Sequence, residues 1–152
     1  MHRHLPASDV PDLLKRRFQI INLWRPISHA ALDWPLGLCD YRSVDPEKDV
    51  VPVTLVYPDR DGETLGVKFN PNHRWKYFRG MTPDELVLIK WSVEGSFFFL
   101  DMEVDEIVGS FDSVQDGSVA VFTPHTGFED PTTPKDAPFR ESIELRALVF
   151  YD

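Results

Sequence analysis

Thirteen prolines in 152 residues set the terms of folding, because each removes a backbone donor and interrupts a helix near its position. Long helices are therefore not expected, and the segments between prolines read as short strands joined by turns. Residues 8–17 suit a short helix, with Ser8 as N-cap, Pro11 in the first turn, and Leu13, Leu14 and Phe18 at helical spacing. Residues 18–24 are apolar and β-branched enough for a buried strand stopped by Pro26, and residues 36–41 suit another. Residues 51–57 alternate, turn through a polar Asp61-Gly62 segment and return as 64–69, which predicts a hairpin. Residues 73–78 are aromatic and strand-like. Thr82-Pro83-Asp84-Glu85 has the spacing of a capping box, predicting one helical turn that leads into a strand. Residues 119–123 and 141–151 complete a set of about eight strands. The expected fold is mainly β with short helices: a partial jelly-roll, or double-stranded β-helix-like barrel.

Composition narrows the function. Sixteen Lys and Arg stand against 25 Asp and Glu, a formal charge of −9, which argues against binding a phosphate backbone. One cysteine, Cys39, rules out an internal disulfide and zinc held by a cysteine cluster, and it fits a reducing, cytoplasmic compartment. The first residues lack the apolar core of a signal peptide, and no apolar run reaches membrane-spanning length. Residues 1–152 read as a single domain.

The last strand carries the strongest chemical pattern. One face presents Arg140, Ser142, Glu144 and Arg146, and the other Ile143, Leu145, Ala147 and Val149. Charged groups on an inward face are costly unless they bind something, and Arg followed two residues later by Ser suits a carboxylate. The plain alternative is that this face points to water. His125, in Phe122-Thr123-Pro124-His125-Thr126 at the predicted end of a strand, offers an imidazole for a metal or for proton transfer; a packing role is the alternative. His73, between Asn70-Pro71-Asn72 and Arg74-Trp75, and His29 are weaker candidates. Nucleophile elbow, phosphate loop, dinucleotide fingerprint and paired-His helix motif are all absent.

Several segments in order resemble the fungal AsaB-type hydroxylase/desaturase family, which is related to cephem methoxylation proteins. They include Gln19-Ile20-Ile21-Asn22-Leu23-Trp24-Arg25-Pro26, Asp33-Trp34-Pro35-Leu36, Asn70-Pro71-Asn72-His73-Arg74-Trp75, Phe122-Thr123-Pro124-His125-Thr126 and Arg140 through Tyr151. The resemblance implies an oxidative tailoring enzyme of secondary metabolism, using Fe(II) and 2-oxoglutarate on a small molecule. It implies a metal held by a His-x-Asp pair and a distal His, which His125 resembles. Arg140 and Ser142 resemble the pair that grips the co-substrate carboxylate, with Arg146 as a rival. No catalytic residue is assigned.

Two departures qualify what the resemblance implies. Family members are about twice as long, and their His-x-Asp lies upstream of Met1, so the chain reads as a C-terminal part. Iron held by His125 alone would be weak, and turnover by this chain alone is not expected. Residues 92–110 form an atypical insertion, read as a retained intron or a gene-model error, with a genuine acidic loop as the alternative. Competing with the enzyme reading are a catalytically inactive remnant, or carboxylate-binding module, and a split enzyme completed by a partner. Exposed strand edges would favour self-association.

Overall fold

The computed structural model describes residues 5–58, 61–90, 112–114, 116 and 118–152. The insertion at 92–110 lies outside the described residues. Eight strands and three short helical turns follow in the order α1 (Val10–Leu13), β1 (Phe18–Pro26), β2 (Leu36–Cys39), a 3-10 turn (Tyr41–Ser43), α2 (Pro46–Asp49), β3 (Val50–Val56), β4 (Asp61–Val67), β5 (Trp75–Tyr77), β6 (Val87–Lys90), β7 (His125–Gly127) and β8 (Ser142–Phe150). The fold is mainly β with short helices, half of a jelly-roll. One sheet has the order β6-β1-β8, a second β5-β2-β7, and β3 and β4 form a separate hairpin.

Strand β1 lies at the centre of the first sheet because its apolar run can be covered on both flanks. It pairs antiparallel with β8 from Phe18↔Phe150 to Pro26↔Ser142, and with β6 from Ile21↔Lys90 to Trp24↔Val87. Directly paired residues share a face. The inner face therefore carries Ile20, Asn22 and Trp24, and Trp24 packs with Ala31, Met81 and Ile89 against Leu36 and Leu38 of the second sheet. The outer face carries Leu23 between Leu88 and Leu145, which are 63% and 61% exposed. A second cluster joins Cys39, Val44 and Phe122 to Val50 and Val67 of the hairpin, fixing it beneath the second sheet.

All but one of the expected strands are found with shifted ends, and three expectations are corrected. Residues 119–123 are not a strand; the strand in this region is β7. Cys39 N–H donates to the Pro124 carbonyl at 2.8 Å, and Pro124 has no N–H with which to extend the ladder upstream. The capping-box residues do bond, Thr82 N–H donating to the Glu85 carboxylate at 2.8 Å, but they close a turn and start no helix. Pairing of Val87 with Trp24 draws the chain straight into β6. Helix α1 is also shorter than expected, a single turn capped at Asp9, because the chain must extend at Phe18 to join the sheet.

A buried carboxylate pins the far end of the first sheet. Asp112 is fully buried and accepts hydrogen bonds from Arg17 Nε and Nη2, Gln19 Nε2, Lys90 Nζ and the Val114 N–H. Burial pushes its pKa up, but Arg17 and Lys90 overcome this and hold it below the usual carboxylate range. The network joins β1 to β6 and to the segment entering the C-terminal part. Removing the carboxylate leaves two cations facing a buried site without their counter-charge. Asp112→Ala is expected to lower unfolding free energy by about 3–5 kcal/mol in urea titrations, and a loss under 1 kcal/mol would refute this role.

Candidate functional site

The polar residues of β8 turn inward. Ser142 lies opposite Pro26, Glu144 opposite Trp24 and Arg146 opposite Asn22, so all three share the face that carries Trp24. Asn22, fully buried, links two of them: its Nδ2 donates to Glu144 Oε1 at 2.6 Å, and Arg146 Nε donates to its Oδ1 at 3.2 Å. Glu144 and Arg146 are themselves exposed, so this part of the inner face is open to solvent. Asn22 was not singled out as a site residue from sequence. Its signal is an amide that, with Gln19, interrupts an otherwise apolar strand run.

Arg140 stands just ahead of β8. Its backbone N–H donates to Asp33 Oδ2 at 3.3 Å, its Nη1 donates to the Trp34 carbonyl, and its guanidinium carbon lies 6.0 Å from the Trp24 ring centroid. Ser28 Oγ donates to Glu141 Oε2 at 2.5 Å, and Ile27 N–H to the Glu141 carbonyl at 3.0 Å, fixing the backbone beside it. The guanidinium also lies against Gly127 of β7: a Cβ there would come within 2.9 Å of Nη1.

His125 is the first residue of β7, two positions before Gly127. It pairs with Leu38, which packs towards the Trp24 cluster, so the imidazole shares the inner face. Its Nδ1 lies 2.9 Å from the Thr123 carbonyl. A carbonyl can only accept, so Nδ1 is the donor in this bond, and an Nδ1–H held by a backbone carbonyl is common among metal-bound histidines. His125 also borders a cleft of about 450 Å³ between β4, Trp75 and residues 122–126. The structure thus brings Arg140 against the strand that carries His125, while Arg146 is engaged with Asn22 further along β8.

Among the described residues no group of three or more His, Cys, Asp or Glu is placed to hold a metal. His125 supplies one imidazole, and the described residues do not complete a three-ligand set. The other described histidines, His29 and His73, have different work. His29 Nδ1 contacts the Ala30 carbonyl at 3.1 Å. His73 is buried with its Nε2 donating to Asp49 Oδ2 at 2.9 Å, and Asn70 Nδ2 bonds both oxygens of the same carboxylate. The Asn-Pro-Asn-His segment therefore locks α2 to the start of β5.

The two facing sheets have the architecture of a β jelly-roll. A family model described as an oxidoreductase/YMDC permease-like domain matches residues 1–96 and 94–150, and the chain belongs to that family. Its relatives are fungal hydroxylase/desaturases of secondary metabolism. Aspirochlorine biosynthesis protein N of Aspergillus oryzae is 35% identical, covering 100% of this chain and 56% of the relative. Hydroxylase/desaturase asaB of Aspergillus flavus is 35% identical over 98% of this chain and 62% of its own length. Among solved structures, the iron and alpha-ketoglutarate-dependent endoperoxidase NvfI superimposes with a TM-score of 0.72 at 30% identity, covering 95% of this chain and 46% of that one. The chain spans about half the length of the relatives it matches.

The Asp49 carboxylate is held at a pKa of about 2 by the Asp45 N–H, then by Asn70 and His73. A carboxyl group whose pKa is lower folded than unfolded stabilises the fold above its unfolded value of about 4. That contribution is lost as pH falls from about 4 towards 2. The difference in melting temperature between the wild type and Asp49→Asn is expected to be largest above pH 5 and to shrink on acidification towards pH 2.5. A gap that stays constant across this range would exclude the linkage.

Proposed function

We propose that this chain is the C-terminal part of an Fe(II)- and 2-oxoglutarate-dependent oxygenase that hydroxylates or desaturates a small fungal metabolite. Residues 1–152 form one folding unit within it, His125 is its distal metal ligand, and Arg140 with Ser142 anchors the co-substrate carboxylate. One observation carries the reading: the Arg140 guanidinium is packed against Gly127, two residues along β7 from His125. The assigned Nδ1–H of His125 and the inward face of Ser142 support it. Arg146 is the weaker anchor because it already bonds Asn22. Bound iron and 2-oxoglutarate would supply oxygen activation and two electrons; the residues here orient and anchor. A cytoplasmic setting suits the single, buried, free thiol of Cys39. No described helix is long and apolar enough to cross a membrane.

The rival reading, a carboxylate-binding module without metal, is favoured by the incomplete ligand set among the described residues. Calorimetric titration with 2-oxoglutarate, with and without Co(II) as an oxygen-stable substitute for iron, separates the two. Binding strengthened by metal and returned to the metal-free value by His125→Ala supports the oxygenase reading. Binding indifferent to metal and to His125→Ala, yet weakened about 10- to 100-fold by Arg140→Ala, supports the module. Binding unchanged in both variants refutes both site assignments.

We also propose self-association through the first sheet. Its outer face leaves Leu88, Leu145 and Ile143 exposed beside the β8 edge, an apolar patch of the kind that marks interfaces. Sedimentation velocity is expected to show concentration-dependent dimers that Leu145→Glu abolishes; identical profiles for the two proteins would end this reading.

A further inference from the structure

Resting on the anchor role of Arg140, we propose that Gly127 and Trp34 are positioning residues for its guanidinium, forming a clasp that ties the anchor to the strand of His125. The first observation concerns space. A Cβ on Gly127 would lie 2.9 Å from Arg140 Nη1, 3.8 Å from its Cζ and 3.6 Å from the Trp34 carbonyl oxygen. Any side chain at 127 would therefore displace the guanidinium. Nor does the backbone itself demand glycine there: among the described glycines only Gly80 has a positive φ. Gly127 is thus explained by the group that rests on it.

The second observation is strain. Trp34 has φ +43°, the one non-glycine in the left-handed region among the described residues. That region is unfavourable for a bulky side chain, and the following Pro35 restricts the backbone further. The indole gains little in return, since it is 51% exposed. What the conformation does supply is the Trp34 carbonyl, aimed at Arg140 Nη1. Strain of this kind persists where the surrounding structure imposes it, and it clusters at ligand-holding sites.

Together the two residues hold one side of the fork. Trp34 O accepts from Nη1, Gly127 bounds the same nitrogen, and Trp24 lies near the guanidinium plane. No other side-chain hydrogen bond of Arg140 forms among the described residues, so Nε and Nη2 are the edge a carboxylate would meet. Because Gly127 pairs with Leu36 while His125 pairs with Leu38, the clasp fixes the anchor relative to the imidazole through the rigid β2–β7 ladder.

The test uses the whole chain, 2-oxoglutarate titrations, thermal melting and the Arg140 Nε–Hε NMR resonance. The atom displaced is the far end of a flexible side chain, so Gly127→Ala is expected to fold with a melting temperature within about 4 °C of wild type. It is expected to move the Arg140 resonance and weaken 2-oxoglutarate at least tenfold. Adding Arg140→Ala to it should cost nothing more, because both act on one group. An unmoved resonance with unchanged affinity in Gly127→Ala overturns the clasp, as do losses from Gly127→Ala and Arg140→Ala that simply add. If wild type and Arg140→Ala titrate alike, the anchor reading itself fails, and the resonance alone then decides whether the clasp exists.

Discussion

The register between β1 and β8 is the constraint on which the rest of this structure depends. These two strands are separated by more than a hundred residues of chain, yet they pair over their whole lengths, from Phe18↔Phe150 to Pro26↔Ser142. A shift of one residue would turn every side chain of β8 to the opposite face. Arg146 and Glu144 would then leave Asn22, and Ile143 and Leu145 would meet Trp24 in their place. The register is held at one end by Phe18 against Phe150 and at the other by Ser28, Ile27 and Glu141. Long-range pairing of this kind has a high entropic cost of closure. The buried Asp112 network, which binds Arg17 and Lys90 to a common carboxylate, offsets part of it.

From that register follows the unusual chemistry of the inner face. An apolar sheet face would be cheaper to bury, yet this one carries a buried amide between an exposed carboxylate and an exposed guanidinium. Asn22 is affordable there because both its oxygen and its nitrogen are bonded. The apolar cluster of Trp24, Ala31, Met81 and Ile89 lies beside this polar strip and closes one end of the space between the sheets. Polar groups and core are thus segregated along the strand.

The candidate site beside the Trp24 cluster is assembled from three separate stretches. Arg140 comes from the segment before β8, Trp34 from the loop before β2, and Gly127 and His125 from β7. The described residues bring the Arg140 guanidinium against the strand that carries His125, and the relatives that share this fold are about twice as long. The exposed outer face of the first sheet, with Leu88 and Leu145 uncovered, belongs to the same half-barrel architecture.

Much of this was legible in the sequence. Prolines limited helices to single turns, apolar runs marked β1 and β8, and alternation around a polar turn marked the β3–β4 hairpin, because these signals act between near neighbours. His125, Arg140, Ser142 and Arg146 were legible as candidates from residue type and order. Sequence could not show which residues would hold them. Asn22 reads as part of an apolar strand, Trp34 and Gly127 as loop residues, and residues 119–123 as a strand they do not form. In each case the outcome rests on a partner far along the chain: Arg146 for Asn22, Arg140 for Trp34 and Gly127, and the edge of β2, which pairs with β7 and not with the residues before Pro124. Local pattern fixes whether a residue extends or turns. Only the folded chain decides what it meets, because packing and hydrogen bonding depend on distance in space and not on separation in sequence.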